Sequence, residues 1–244
     1  MTSWKNNNVL TSRRFVEEVL DEVPGLTAES GKVMVEHYYQ LKTLIEARIK
    51  EFGPNCDLND IDVSHITDMS SLFYKSEFNG DISQWDVSSV RDMHNMFAGS
   101  KFNGDISGWN VSNVEDMEGM FSFSKFNRDI SRWDVSNVRD MERMFSYSKF
   151  NKNISKWNVS NVEKMQIMFL HSSFNRDISD WDVSNVKTMW SMFKESKFKG
   201  DLSKWNTARV ENMSNMFKKS PLEGNEPDWY KLRAKQGTLI LDPK

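Results

Sequence analysis

The residues of this chain able to do chemistry are four histidines, one cysteine and a recurring aspartate, and their spacing argues against a reaction centre. His37, His65, His94 and His171 fall at unrelated positions, with no HExxH or comparable ligand spacing. Neither zinc nor histidine-based catalysis is therefore expected. Cys56 stands alone, which excludes an intramolecular disulfide framework and a cysteine-rich metal site. Asp81, Asp105, Asp129, Asp177 and Asp201 recur beside turn residues, as aspartates do in calcium-binding β-rolls. Those rolls repeat about every nine residues. Here each unit offers one Asp and Asn153 interrupts the series, so turn and edge roles are expected in place of calcium. There is no G-x-S-x-G, P-loop or dinucleotide fingerprint. The chain reads as a non-enzyme without metal or cofactor.

What the spacing does reveal is a repeat. Trp85, Trp109, Trp133, Trp157, Trp181, Trp205 and Trp229 are each 24 residues apart, and Phe78, Phe102, Phe126, Phe150, Phe174 and Phe198 keep the same step. An earlier copy, from Pro54 to Glu77, carries Ile61 in the tryptophan slot. A fixed period of this length is the signature of stacked units that share one core. Within a unit, Ile82, Trp85 and Val87 suit a short strand, while Val90, Met93, Met96 and Phe97 suit one face of a short helix. The fold expected is α/β: a leucine-rich-repeat-like solenoid of short parallel strands and short helices. Seven repeats span 54–221, residues 1–53 form an N-terminal helical cap, and 222–244 form a degenerate C-terminal cap repeat. The cap should hold one helix over Phe15–Val23 and a second over Met34–Phe52, with Gly53-Pro54 as the stop. A closing strand is expected at Thr238–Leu241.

A second period lies inside the first. The residue after each tryptophan alternates Asp86, Asn110, Asp134, Asn158, Asp182, Asn206. Five residues on, Arg91, Glu115, Arg139, Glu163, Lys187 and Glu211 alternate in sign. In a stack this dilutes like-charge repulsion and builds a plus–minus ladder, though duplication of a two-coil block would leave the same pattern.

With a net charge of −3, bulk electrostatics offers no case for nucleic acid or an anionic membrane. No run approaches the length of a membrane span, and the polar N-terminus shows no secretory signal, so a cytoplasmic protein is expected. Function should then sit where the repeat breaks on outward slots. Trp190 occupies a slot that is His94, Glu118, Glu142, Gln166 or Ser214 elsewhere. Phe123, Tyr147 and His171 share one column, and Ile167 and Leu170 are apolar at normally polar positions. Clustered aromatics of this kind resemble a protein-binding hot spot on the helical side, although ring stacking within the rod would use the same residues. The slots Gln84, Gly108, Arg132, Lys156, Asp180 and Lys204 vary too, as a concave reading surface would.

The units Phe-Asn-Gly-Asp-Ile-Ser-x-Trp-Asp-Val-Ser-Asn-Val and Asp-Met-x-x-Met-Phe-x-x-Ser resemble the BspA-like leucine-rich-repeat surface proteins and the same repeat in mycoplasma lipoproteins. The resemblance covers about 54–221, with Leu41–Asp62 similar to the family's lead-in. It implies a non-enzymatic binding scaffold in bacteria or their phages, with no catalytic residues to carry over. The partner is expected to be another protein, with inhibition of a host or phage protein as one form this could take. The alternative is a surface adhesin binding host matrix proteins, from which this chain departs in showing no signal peptide or anchor.

Overall fold

Successive 24-residue units lie one upon the next in the computed structural model, which describes residues 27–29 and 32–237. Parallel bridges join Asp68 to Asp92, Asp92 to Asp116, Asp116 to Asp140, Asp140 to Lys164, Lys164 to Thr188 and Thr188 to Asn212, each one unit apart. From each bridge a ladder continues along the coil. Met93, Asn95, Phe97 and Gly99 donate their N–H groups to the carbonyls of Asp116, Glu118, Met120 and Ser122 at 2.7–3.0 Å. These four donors all face the C-terminal end of the stack, and the pattern recurs coil after coil.

The short helix expected at Val90–Phe97 does not form; among the described residues the α-helices are Tyr38–Phe52 and Asp228–Lys235. Met96 donates to Met93 and Ala98 to Asn95, so the segment is a run of overlapping turns. Asn95 and Gly99 have positive φ, as do Gly119 and Phe123, Arg143 and Tyr147, and Ile167 and His171. Positive φ at the third residue is what a type II turn demands, and it breaks a helix. The apolar residues are buried as the spacing requires, because a period near three serves turns as well as helices. An isolated helix this short is marginal in any case, whereas the turns free four N–H groups per coil for the neighbour.

The strand expected at Ile82–Val87 is likewise a pair of turns. Asp81 Oδ1 accepts from Ser83 N at 2.9 Å, Trp85 N donates to Ile82 O at 3.2 Å, and Val90 N to Val87 O at 3.0 Å. Side chains make the links between coils here. The Trp109 ring N–H donates to Ile82 O at 3.1 Å, and Trp133, Trp157, Trp181 and Trp205 repeat the bond to the coil before. Asn79, Asn103, Asn127 and Asn151 form a second ladder, each side-chain oxygen accepting the backbone N–H one unit on at 2.7–3.0 Å.

Inside the coils run two phenylalanine columns and the tryptophan column, nearly all fully buried. Rings of one column stack almost parallel, for example Phe97 on Phe121 at 5.7 Å and 3°. The step between equivalent rings widens across the section. It is 4.5 Å for Phe123 and Tyr147 on the ladder face, 5.4–5.9 Å in the first phenylalanine column and 6.4 Å between Trp85 and Trp109. The stack therefore curves with the turn ladder on its inner side.

The N-terminal end is not helical alone. Lys32–Met34 pairs antiparallel with Thr27–Glu29 and parallel with Ile61–Asp62, so Met34 lies in a strand, outside the expected helix. The helix starts at Tyr38, where Gln40 Oε1 accepts from Glu36 N and His37 N, and stops at Gly53 with φ 85°. Arg48, on the buried side of this helix, bridges to Asp60 at 2.5 Å. At the far end the Asp228–Lys235 helix brings Trp229 to Leu202 O at 2.8 Å, which continues the tryptophan ladder. The helix expected at Phe15–Val23 and the strand at Thr238–Leu241 lie outside the described residues.

Candidate functional site

Every outward side chain on the ladder face belongs to a column, and the columns are set by the turns. The first residue of each ladder segment is an aspartate in the first four coils, from Asp68 to Asp140, where its carboxylate closes its own turn. Asp68, Asp92, Asp116 and Asp140 each accept from the N–H two residues on, at 2.7–2.9 Å. The parallel bridges then place these carboxylates in register, one coil apart. Asp140 is relieved by Lys164 Nζ at 2.7 Å and Asp92 meets His94 Nδ1 at 2.9 Å. Asp116, between them, has no ion-pair partner among the described residues. Burial, with Asp140 and Asp92 adding to it, pushes its carboxyl above the ordinary 3.8. Glu118 is raised as well, by burial and then by Glu142, Asp140 and Asp116. Arg143 spans Glu118 and Glu142 at 3.6 and 3.2 Å.

Beside this acidic column runs the aromatic one. Phe123 is 62% exposed and Tyr147 42%, stacked at 4.5 Å and 6°. The His171 ring follows at 5.0 Å from Tyr147 and sits 3.4 Å from Glu195. All three occupy positive-φ positions, at 55°, 53° and 51°, which turn their side chains out from the ladder. Beneath them Ser122 and Ser146 share a hydrogen bond at 2.7 Å.

The structure gathers Phe123, Tyr147 and His171 as one column, but on the inner ladder face of the curve, and on turns in place of helices. Trp190 and Leu170 are half-buried on the same face. Ile167 is not outward: it is buried, 7% exposed, at a φ of 61°. Missed from the sequence was the Asp92–Asp116–Asp140 column with Glu118 and Glu142. It was visible as a repeating acid, but its burial depends on pairing between coils.

The turn aspartates on the opposite side behave differently. Asp81, Asp105, Asp129, Asp177 and Asp201 are held below the usual carboxylate range, chiefly by the backbone N–H of the serine two residues on. Among the described residues no group of three or more His, Cys, Asp or Glu is arranged to hold a metal ion. Cys56 is a free thiol, raised by burial. No helix among the described residues is long and apolar enough to cross a membrane.

No curated protein and no solved structure matches this chain. A family model described as Mycoplasma protein of unknown function, DUF285, matches residues 40–149 and again 123–229. The two matches overlap and together cover the stacked coils, so the chain belongs to this Mycoplasma-type repeat family of unknown function.

Proposed function

We propose that the chain is a non-enzymatic scaffold, a solenoid of the BspA-like leucine-rich-repeat kind, which binds another protein through its concave ladder face. The observation that carries this reading is the exposed, stacked Phe123–Tyr147 pair. Exposed aromatics on a rigid surface cost little conformational entropy to bind, and they dominate interface energetics. Neighbouring coils use Gly99 and Lys75 in that slot, so the stack does not need rings there. Half-buried Trp190 extends the apolar surface, and the acidic column gives it a polar rim.

The test is affinity purification from the native host with the wild-type chain and a Phe123→Ala/Tyr147→Ala variant run side by side. A protein captured by the first should fall about tenfold or more with the second, the scale of a hot-spot loss. Melting temperature should stay within about 4 °C. Capture that is indifferent to the double substitution would exclude this face as the site.

A further inference from the structure

On the side formed by the Asn-Gly-Asp turns, away from the ladder, the repeat is broken three times in adjoining coils. The first break is Gly108, where other coils place Gln84, Arg132, Lys156, Asp180 or Lys204. Glycine usually marks a positive φ or a close approach of backbone. Gly108 has neither, since a Cβ built on it meets nothing within 4 Å. It lies in the wall of a groove of about 490 Å³, with Asp105, Arg128, Asp129, Arg132 and Lys152 around it.

The second break is Asn153, the one amide in the turn-aspartate column from Asp81 to Asp201. It keeps the structural duty of that column, accepting from Ser155 N at 3.0 Å, and drops only the negative charge. The third is the cations. Arg128 and Lys152 stand where the two preceding coils have Gly80 and Gly104, and Lys156 stands one coil beyond Arg132. All four are exposed. On the ladder side, cations pair from coil to coil, as in Arg91–Glu115 at 2.9 Å and Lys187–Glu163 at 2.5 Å. Arg128, Arg132, Lys152 and Lys156 make no ion pair among the described residues. Arg128 spends its Nε on Asn103 O at 2.8 Å, which fixes the guanidinium at the groove.

We propose that this groove binds a small phosphorylated molecule, its phosphoryl groups held by Arg128, Arg132 and Lys152. Three cations, Arg128, Arg132 and Lys152, face two carboxylates, Asp105 and Asp129, both engaged by serine N–H groups. The groove wall is thus net positive by one charge in a chain whose net charge is −3, and with both carboxylates already engaged it favours an anion. Guanidinium forks match a tetrahedral oxyanion in geometry as well as charge. The groove has the size of a small-ligand site, and it has no aromatic ring on which the bases of a single strand would stack.

The test is calorimetric titration of the full chain with pyrophosphate, and with sulfate at matched ionic strength. Saturable pyrophosphate binding, tighter than sulfate, is expected. Asn153→Asp restores the column's acid and Gly108→Gln restores the side chain of Gln84. Each should weaken binding about tenfold through charge or occlusion, while the melting temperature of the unliganded protein stays put. Arg132→Gln should weaken binding equally. The proposal is overturned by an absence of saturable binding, by binding that survives both Asn153→Asp and Gly108→Gln, or by sulfate binding as tightly as pyrophosphate.

Discussion

Phe123 and Tyr147 hold a backbone conformation that costs an L-residue about 1–2 kcal/mol; the equivalent position one coil earlier is Gly99, with φ 68°. Replacing Phe123 by glycine relieves that strain but gives up the stack on Tyr147, worth about 0.5–1.5 kcal/mol. Phe123→Gly should therefore leave stability within about 1 kcal/mol of wild type. Phe123→Val, β-branched at positive φ, should lower it by about 2 kcal/mol. Urea unfolding of the two variants separates these outcomes, and equal losses would mean that the φ is not what limits this slot. The tryptophans answer to a different rule. Trp133→Phe keeps a ring in the column but removes one of the two donors to Ile106 O, which retains the Trp109 N–H, so the expected loss is that of one hydrogen bond, about 0.5–1.5 kcal/mol. A loss smaller than that would show that the ring N–H ladder is incidental to stacking.

At the scale of the ladder segment, the carboxylates of one chain pull in opposite directions with pH. Asp116 and Glu118 are raised in the folded state, so folding favours their protonated forms. The stability they contribute is present below their ordinary range and is lost as pH rises through the folded values. Asp81, Asp105, Asp129 and the other turn aspartates are lowered, and their contribution is present above about pH 4 and lost as pH falls further. Stability should therefore climb as pH drops from neutral into the mildly acidic range, and then fall. Asp116→Asn should flatten the first limb and raise the melting temperature at neutral pH by about 2–4 °C, the scale of 1 kcal/mol in a chain this long. The amide keeps an acceptor for Glu118 N. A melting profile that declines steadily from neutral to acid would contradict this account.

The same segment shows where sequence reading stops. The burial of Val90, Met93, Met96 and Phe97 follows from their spacing alone. That spacing fits a helix and a run of turns equally well, and the choice is made by hydrogen bonds to residues 23 positions away. Asn95, Gly99 and Gly119 were the local hint of positive φ, diluted by Lys75, Phe123, Tyr147 and Glu195 in equivalent slots. Phe123 and Tyr147 could be read as exceptions from sequence. Their place on the inner side of a curve could not, because curvature emerges only from differences in spacing across stacked coils.

In the whole molecule each coil touches only its neighbours, so stability should accumulate unit by unit. Deleting residues 126–149, one full period, rejoins equivalent positions, since Lys125 then meets Phe150 as it met Phe126. The shortened chain should fold cooperatively, with its urea m-value reduced by about one tenth in proportion to the surface buried. Deleting half a period should abolish folding, because it would set tryptophan against ladder. A half-period deletion that still folds would show that the register is not what holds the coils together.

The polarity of the ladder has a consequence for assembly. Each coil also sends N–H groups back to the coil before it, as Arg91 does to Thr67 O, but along the turn segment the donors run forward. There the last coil ends in the N–H groups of Met213, Asn215 and Phe217, without backbone carbonyl partners among the described residues, and the first in the carbonyls of Asp68, Ser70, Leu72 and Tyr74, without backbone donors. Over this segment a two-fold pairing of like ends sets donors against donors, whereas a head-to-tail pairing sets donors on acceptors. Head-to-tail contacts build a ring where the rotation closes and a polar filament where it does not.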